Sequence, residues 1–318
     1  MRVAVTGAGG MIGRKLVERI AREGVAGRAV ERLVLHDVAA PPGPPGAAAL
    51  GGDLGADAGR LAEERPDVLF HLAAVVSGEA EADLDKGYRV NLDGLRALVD
   101  ALRARDCRPR LVFASSGAVF GGPFPPVVPD DFPPRPLTSY GAQKLMGEVL
   151  LDDLSRRGLL DAVSLRLPTI CVRPGLPNRA ASGFFSGIVR EPLAGRPAVL
   201  PVPREVVHTM ASPRAAVGFF LHAAALDTGP MGARRAVTLP GVAVSVAEEI
   251  EALRRLAGER AVALIEERPD PAVWAIVRTW AERFEARAAR DMGFVAEDSF
   301  EAILRAHVED ELGGGVPA

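Results

Sequence analysis

A glycine-rich segment near the start of the chain lies directly between a strand pattern and a helix pattern. The run Arg2–Thr6 is apolar and rich in β-branched residues, and the glycine-rich segment occupies residues 7–13. Four apolar residues then recur at helical spacing: Ile12, Leu16, Val17 and Ile20. A strand-to-helix turn this tight needs residues without a Cβ atom, so that the backbone can lie close to a pyrophosphate. The segment therefore predicts a phosphate-binding βα unit.

Strand and helix patterns alternate along the following residues. Apolar runs predict strands at 32–36, 67–72, 110–114 and 163–167, and apolar periodicity predicts helices at 92–102 and 140–155. The strand runs do not alternate with polar residues, which is typical of strands buried on both faces. We therefore expect an α/β fold, a doubly wound parallel sheet (Rossmann) with helices on both faces and a smaller, discontinuous C-terminal substrate lobe.

Pro and Gly divide the chain into domains and loops. Residues 39–52 are rich in Pro, Gly and Ala and predict a flexible loop, and the seven prolines in 123–136 predict an ordered surface loop. We expect a dinucleotide-binding domain at 1–170 with a return segment at about 205–240. The substrate-binding lobe would then comprise 171–204 and 241–318, with amphipathic helices at 245–257 and 299–308.

Charge and cysteine content exclude several classes of protein. The net charge of −3 is too balanced to indicate a nucleic-acid or membrane-surface partner. Cys107 and Cys171 have no metal-ligand spacing and form no disulfide framework, so we expect no metal and a cytoplasmic location. The longest uncharged apolar run in the C-terminal half, 215–226, is too short to cross a bilayer, and the N-terminus lacks a signal-peptide pattern.

Residues at the predicted strand ends would bind a dinucleotide. Around the glycine turn these are Gly7, Gly10, Met11, Ile12 and Gly13. Asp37 ends the second strand, where a carboxylate accepts hydrogen bonds from the adenosine ribose and repels a 2′-phosphate. NAD is therefore favoured over NADP, although Asp37 alone also fits a solvated loop acid.

Two further segments are candidates for contact with the cofactor. Asp53 and Leu54 would meet the adenine edge, or Asp53 simply begins a turn. Leu72, Ala73 and Ala74 end the third long strand, where small residues let the backbone lie close to the dinucleotide.

Tyr140 and Lys144 lie four residues apart on one face of a predicted helix. With 2 Tyr and three Lys in 318 residues, such a pair arises by chance only about 0.02 times. A phenol has a pKa of about 10 and is a poor base at neutral pH. A nearby ammonium and a positive nicotinamide ring would lower that pKa, which predicts a general base. The alternative is a surface Tyr and a solvated Lys.

Ser116 and Asn91 complete the candidate catalytic group. Ser116 follows the strand at 110–114, where its hydroxyl would hold the reacting oxygen of the substrate near Tyr140. Serines are also common in turns. Asn91 would hold a water that relays protons from Lys144, or it caps a helix.

Together these motifs resemble the extended short-chain dehydrogenase/reductase superfamily. The resemblance rests on the glycine turn, Asp37 and three segments: 71–74 (HLAA), 115–121 (SSGAVFG) and 140–144 (YGAQK). It implies that Ser116, Tyr140 and Lys144 are catalytic, and that the backbone around Pro168 and Thr169 contacts the nicotinamide carboxamide. It also implies a homodimer, in which helices 92–102 and 140–155 pair across a two-fold axis. Phe120 departs from the pattern, since Tyr is more usual there.

Segments 73–81, 172–178 and 190–197 look closest to NAD-dependent dehydrogenases of a four-carbon 2-hydroxy sugar acid. The resemblance implies oxidation of such an acid to its 2-keto acid. A carboxylate substrate needs a fork of N–H donors, which Arg173 would supply with Asn178 and Ser77 nearby. The alternative is that Arg173 only neutralises the charge of a loop. Residues 208–210 (HTM) depart from the resemblance, which implies bulkier apolar or aromatic residues there. His208 either lines the pocket or is a core histidine with its hydrogen bonds satisfied.

Two rival functions use the same fold. One is a sugar-nucleotide epimerase or dehydratase that retains its NAD through a closed cycle. The other is a non-catalytic dinucleotide-sensing protein, against which the Tyr140 and Lys144 pair counts.

Overall fold

The computed structural model describes residues 1–175 and 181–315. The strands are β1 (Arg2–Thr6), β2 (Arg32–Asp37), β3 (Ala48–Gly51), β4 (Val68–His71), β5 (Arg110–Ser116), β6 (Asp161–Leu167), β7 (Thr169–Ile170), β8 (Ala198–Leu200), β9 (Val207–Ala211), β10 (Ala236–Thr238), β11 (Val242–Ser245) and β12 (Ile265–Glu267). The helices are α1 (Met11–Glu23), α2 (Leu54–Glu63), α3 (Ser77–Ala82), α4 (Leu84–Tyr88), α5 (Gly94–Ala104), α6 (Ser139–Arg156), α7 (Gly183–Leu193), α8 (Pro213–Ala225), α9 (Val246–Val262), α10 (Pro271–Val277), α11 (Arg287–Asp291) and α12 (Phe300–Glu311). A π-helical turn at Arg89–Asp93 precedes α5.

Seven strands form the main sheet in the order β10-β6-β5-β4-β1-β2-β3. Every neighbouring pair is parallel. The chain therefore winds outward in both directions from β1, which confirms the doubly wound fold. Because the strand order reverses between β1 and β4, the loops at their carboxyl ends diverge and leave the crevice in which such sheets bind ligands.

Apolar side chains cover both faces of the main sheet. On one face α2, α5 and α6 bury Leu61, Leu98 and Leu151 against Phe113. On the other face Phe220 of α8 meets Phe70 of β4 edge to face, with 6.5 Å between the ring centroids. This two-sided burial explains why the strands read as continuous apolar runs.

Two expectations about strands were wrong. Residues 39–52 are not a loop throughout, because β3 pairs with β2 as the edge strand of the main sheet. Its sequence, AALG, has little β-propensity, so pairing with β2 decides its conformation. Of the expected return segment, only β10 joins the main sheet, whereas β9 lies in a separate three-stranded sheet of order β11-β9-β7. The local apolar pattern of β9 does not specify which sheet it joins.

The chain packs as two compact units. Unit 1 contains Met1–Val119, Pro136–Leu167 and Val217–Thr238, and unit 2 contains the other described residues. Residues 120–135 belong to unit 2, because Val128 bridges to Phe284 and Phe120 packs on both Phe132 and Phe284. The two packed units thus have other boundaries than the predicted domains. That one binds the cofactor and the other the substrate remains a prediction.

Unit 2 has a hydrophobic core of its own, which includes Cys171, Phe185, Met210, Ile250 and Leu253. The Cys171 thiol is fully buried there and acts as a small hydrophobic residue. Within the described part of the chain, no helix is long and apolar enough to span a membrane.

Candidate active site

The predicted cofactor and catalytic residues of unit 1 lie along the carboxyl edge of the main sheet. Gly7 follows β1, Asp37 ends β2, Leu72 follows β4 and Ser116 ends β5. Because these strands are parallel neighbours, their carboxyl ends meet at one edge. The topology thereby brings together residues that are far apart in the sequence.

The glycine turn is closed by direct backbone contacts. Gly7 has φ of +72°, and a Cβ atom there would lie 2.6 Å from Ala73 N and 2.7 Å from the Leu72 carbonyl carbon. A Cβ atom on Gly13 would collide with Gly7 O. Only glycine satisfies both positions, so the turn lies directly against the end of β4.

The N-terminus of α1 has the features that a diphosphate requires. Gly10 is the N-cap residue, no side chain caps the helix, and the first turn carries no acidic residue. The backbone N–H groups at Met11, Ile12 and Gly13 therefore lack side-chain partners at the positive end of the helix dipole. These features fit the pyrophosphate of a dinucleotide.

Two backbone amides hold the Asp37 carboxylate. Oδ2 accepts a hydrogen bond from Gly9 N at 2.8 Å and Oδ1 accepts one from Val38 N at 2.7 Å. The carboxylate is thus anchored to the glycine turn, at the position from which it would meet a ribose. Asp53 caps α2 by accepting from Ala56 N at 3.2 Å, as its turn interpretation predicts, and its adenine contact remains a prediction.

A buried pair joins β1 to β4 beneath the turn. Thr6 Oγ1 lies 2.7 Å from His71 Nδ1, and both residues are completely buried. The His71 ring stacks on Phe113 with 5.7 Å between the centroids. Burial and the nearby Lys144 lower the pKa of His71 to about 3, so the ring is neutral at physiological pH. This histidine is therefore a packed residue and not an acid.

Ser116, Tyr140 and Lys144 come together at the end of β5 and the start of α6. The Ser116 hydroxyl lies close enough to the Tyr140 phenol to lower its pKa. Ser116 Oγ also accepts from Ala118 N at 3.1 Å. Lys144 Nζ lies 5.6 Å from the centroid of the Tyr140 ring and 4.8 Å from that of Phe113. The structure thus places a phenol, an ammonium and a hydroxyl in one group.

Burial works against the charged forms of Tyr140 and Lys144. It raises the pKa of Tyr140 to about 12, although the nearby Ser116 hydroxyl opposes this rise. Burial also lowers the pKa of Lys144 to about 7, against the opposing charge of Glu148. In the free chain at neutral pH the phenol is therefore protonated and the amine is only partly charged. An added positive charge near Tyr140 is needed to make it a base.

Asn91 lies in the π-helical turn, and its side chain is fully engaged. Oδ1 accepts from Val75 N at 2.9 Å, while Nδ2 donates to Val75 O at 3.2 Å and to Gln143 Oε1 at 2.7 Å. The helix-capping alternative for Asn91 is therefore wrong, and a proton relay remains a prediction. The side chain instead fastens the segment after β4 to α6.

The predicted substrate residues are distributed between the two units. Ser77 begins α3 in unit 1 and is half-buried. In unit 2, Arg173 N donates to Ser186 Oγ at 2.9 Å, and Arg173 O accepts from Arg190 Nη1 at 2.8 Å. Burial and then Arg190 lower the pKa of the Arg173 guanidinium. Asn178 lies outside the described residues.

The segment predicted to contact the nicotinamide, Pro168 and Thr169 in unit 2, is hydrogen-bonded to His208. Pro168 precedes β7, in which Thr169 Oγ1 lies 2.7 Å from His208 Nε2. The His208 ring stacks on Phe185, with 5.2 Å between the centroids, and lies 5.2 Å from Trp280. Burial lowers the pKa of His208 to about 4. His208 is thus a packed, hydrogen-bonded histidine.

Sequence reasoning missed the polar residues that support this group. Ser115, Glu148 and Arg166 form a hydrogen-bonded cluster in which Ser115 and Glu148 are buried. The available signal was the spacing, because Glu148 stands four residues after Lys144 on a helix.

A model of the NAD dependent epimerase/dehydratase family matches residues 3–208, which is more than half of the chain. The chain belongs to this family. It is an NAD-dependent dehydrogenase, and the uncapped α1 terminus and the anchored Asp37 fit that cofactor.

Full-length relatives in this family carry two kinds of name. The chain is 45% identical to a D-erythronate dehydrogenase of Cupriavidus necator over 98% of both chains. It is 35% identical to one of Haemophilus influenzae over 98% of this chain and 100% of that one. A crystal structure described as a nucleoside-diphosphate-sugar epimerase from Agrobacterium tumefaciens is 53% identical, with a TM-score of 0.97 over 100% of this chain and 96% of the other.

Proposed function

We propose that the chain oxidises D-erythronate to 2-keto-D-erythronate with NAD, by a mechanism that uses Ser116, Tyr140 and Lys144. The observation that carries this proposal is the grouping of these three side chains at the carboxyl edge of the sheet, beside the glycine turn. The similarity to D-erythronate dehydrogenases supports a small sugar acid as the substrate.

Each side chain has a role that its surroundings support. Tyr140 Oη accepts the proton of the C2 hydroxyl, and Ser116 Oγ donates a hydrogen bond to the same oxygen. Lys144 contacts the nicotinamide ribose and stabilises the phenolate. Bound NAD supplies the hydride acceptor and a positive ring that lowers the pKa of Tyr140. With Tyr140 ionised, its phenolate would take the O–H proton, the hydrogen on C2 would leave with its electron pair to the oxidised cofactor, and the C2 carbonyl would form.

The remaining predicted residues would bind the two ligands. Arg173, Asn178 and Ser77 would hold the carboxylate and hydroxyl groups of the acid. Pro168 and Thr169 would contact the carboxamide through their backbone, and the bond between Thr169 and His208 supports a fixed position for this segment.

The second candidate is a sugar-nucleotide epimerase that retains its NAD. The name of the 53% identical crystal structure favours it. The same tyrosine and lysine chemistry serves both reactions, so the catalytic group does not distinguish them. A non-catalytic sensor is disfavoured, because a buried Lys144 beside Tyr140 is costly without a chemical role.

A substrate screen tests the proposal. The purified chain is incubated with sugar acids of four to six carbons and with NAD or NADP, and the absorbance of the reduced cofactor is followed. We expect NADH and 2-keto acid in equal amounts, with D-erythronate the best substrate. A chain that reduces no cofactor with any acid, yet interconverts sugar nucleotides with its NAD retained, would establish the epimerase instead.

A further inference from the structure

Lys144 is buried without a hydrogen-bonded partner in the described residues. Its side chain is 1% exposed on α6, and Nζ lies above the face of the Phe113 ring. A cation–π contact offsets only part of the cost of removing an ammonium from water. Burial accordingly lowers the pKa of Lys144 to about 7. Its proposed role needs the charged form, so some other group must favour that charge.

Glu148 lies one helical turn after Lys144, on the same face of α6. Its carboxylate is 2% exposed and is held by several donors. Ser115 Oγ donates to Oε1 at 2.5 Å, and Arg166 Nη2 donates to Oε2 at 2.7 Å. Arg166 Nε lies 3.1 Å from both oxygens. Hydrogen bonds from a guanidinium and a hydroxyl are the donors that a buried carboxylate requires.

We propose that Glu148, fixed in place by Arg166 and Ser115, is a positioning residue that acts as the counter-charge of Lys144. No direct ion pair joins the two side chains within residues 1–175 and 181–315, so Glu148 acts through the local field. Ser115 adds a second connection, because it precedes Ser116 and its bond to Glu148 fixes the end of β5. The catalytic consequence rests on the proposed function, whereas the charge relation does not.

The other titratable groups around Lys144 do not provide this counter-charge. His71 on β4 is neutral, since burial lowers its pKa to about 3. Tyr140 on α6 is a protonated phenol in the free chain, with a pKa of about 12. Arg166 on β6 carries a like charge and is bonded to Glu148. Among the described residues, Glu148 is therefore the carboxylate whose charge raises the pKa of Lys144.

The charge of Lys144 can be measured directly, because the chain has only three lysines: Lys15, Lys86 and Lys144. Protein labelled with ¹³C-lysine gives one Cε signal for each, and the variants Lys15→Arg and Lys86→Arg assign two of them. Titration of the third in the free chain gives the pKa of Lys144. We expect Glu148→Gln to lower this pKa by about one unit or more.

Two further variants separate charge from structure. Glu148→Gln removes the carboxylate that Arg166 bonds, whereas Glu148→Gln/Arg166→Met removes both charged groups and is used if the single variant misfolds. We expect the double variant to lower the pKa of Lys144 by less than the single variant. Asp153→Asn on the same helix, whose carboxylate bonds Arg156, is the matched control and should leave the Lys144 pKa unchanged. A folded Glu148→Gln variant with the wild-type Lys144 pKa, or a double variant in which that pKa is raised, would overturn the proposal.

Catalysis provides the second measurement. Glu148→Gln should reduce kcat and shift its pH profile in the direction of the Lys144 titration, and Glu148→Asp should restore part of the rate. If no sugar acid is oxidised but the Lys144 signal shifts as expected, the proposed function fails and the counter-charge stands. If sugar acids are oxidised but the Lys144 signal does not shift in Glu148→Gln, the counter-charge proposal fails and the proposed function stands.

Discussion

At Tyr140 the structure opposes the charge that the reaction needs, and this makes the residue a sharp test. Tyr140→Phe keeps the ring in place and removes only the phenol oxygen. We expect kcat to fall by roughly 10²–10⁴-fold, the usual contribution of a general base, with little change in cofactor affinity. Steady-state kinetics and calorimetric titration with NAD measure the two quantities. A variant with kcat near the wild-type value would contradict the mechanism.

Asp37 decides the choice between NAD and NADP if its carboxylate meets the ribose. Asp37→Ser removes the charge and keeps a small polar side chain beside Gly9 N. We expect NAD to bind roughly tenfold or more weakly, because a charged hydrogen bond is lost, while NADP is affected less. Dissociation constants for both cofactors test this. A wild-type chain with the higher kcat/KM for NADP would show that the assignment of Asp37 is wrong.

Buried Lys144 also makes the stability of the free chain depend on pH. Its pKa is about 7 in the folded chain, against the ordinary lysine value of 10.5. The unfolded chain therefore binds more protons between these pH values, so the contribution of Lys144 to the free energy of unfolding rises with pH across this window. Lys144→Met removes this contribution.

Urea unfolding at several pH values within the window measures the effect. The difference in stability between Lys144→Met and wild type should shrink as the pH rises. A difference that stays constant would mean that Lys144 is fully charged in the folded chain.

At the scale of the elements, α9 carries an unusual buried carboxyl. Glu249 is completely buried, and neither carboxylate oxygen has a hydrogen-bond partner in the described part of the chain. Burial raises its pKa well above 4.5. The folded chain thus keeps a proton that the unfolded chain loses, so the Glu249 contribution to stability declines as the pH rises above about 4.5.

Glu249→Met should therefore stabilise the chain by about 1–3 kcal/mol near neutral pH, because an unpaired buried polar group is replaced by an apolar one. The gain should grow with pH. Thermal unfolding measures it, with the half-exposed Glu251→Gln on the same helix as the control. A loss of stability would show that Glu249 has a partner or a required role.

At the scale of the whole molecule, the resemblance predicts a dimer formed through α5 and α6. Val149 on α6 is 60% exposed, which is unusual for a large apolar side chain and fits a covered helix face. Light scattering should give twice the chain mass of 33.4 kDa. Val149→Asp should shift the protein towards the monomer, whereas a monomeric wild-type chain would contradict the prediction.

The sequence by itself determined the fold class and the chemical type of the site. Apolar runs buried on both faces, the glycine turn and the spacing of Tyr140 and Lys144 are local patterns, and each reflects a constraint that acts within a few residues. Gly13, for example, must lack a Cβ atom because that atom would collide with Gly7 O, six residues earlier in the same turn. Local patterns are readable because their physical cause is local.

Only the tertiary structure decided what depends on partners distant in sequence. β3 is a strand because β2 pairs with it, and β9 joins another sheet although its own pattern resembles that of the main strands. In the same way, the charge of Lys144 depends on burial by Phe113 and on a carboxylate anchored by Arg166 from β6. Desolvation and Coulomb energy depend on distances that exist only after the chain has folded.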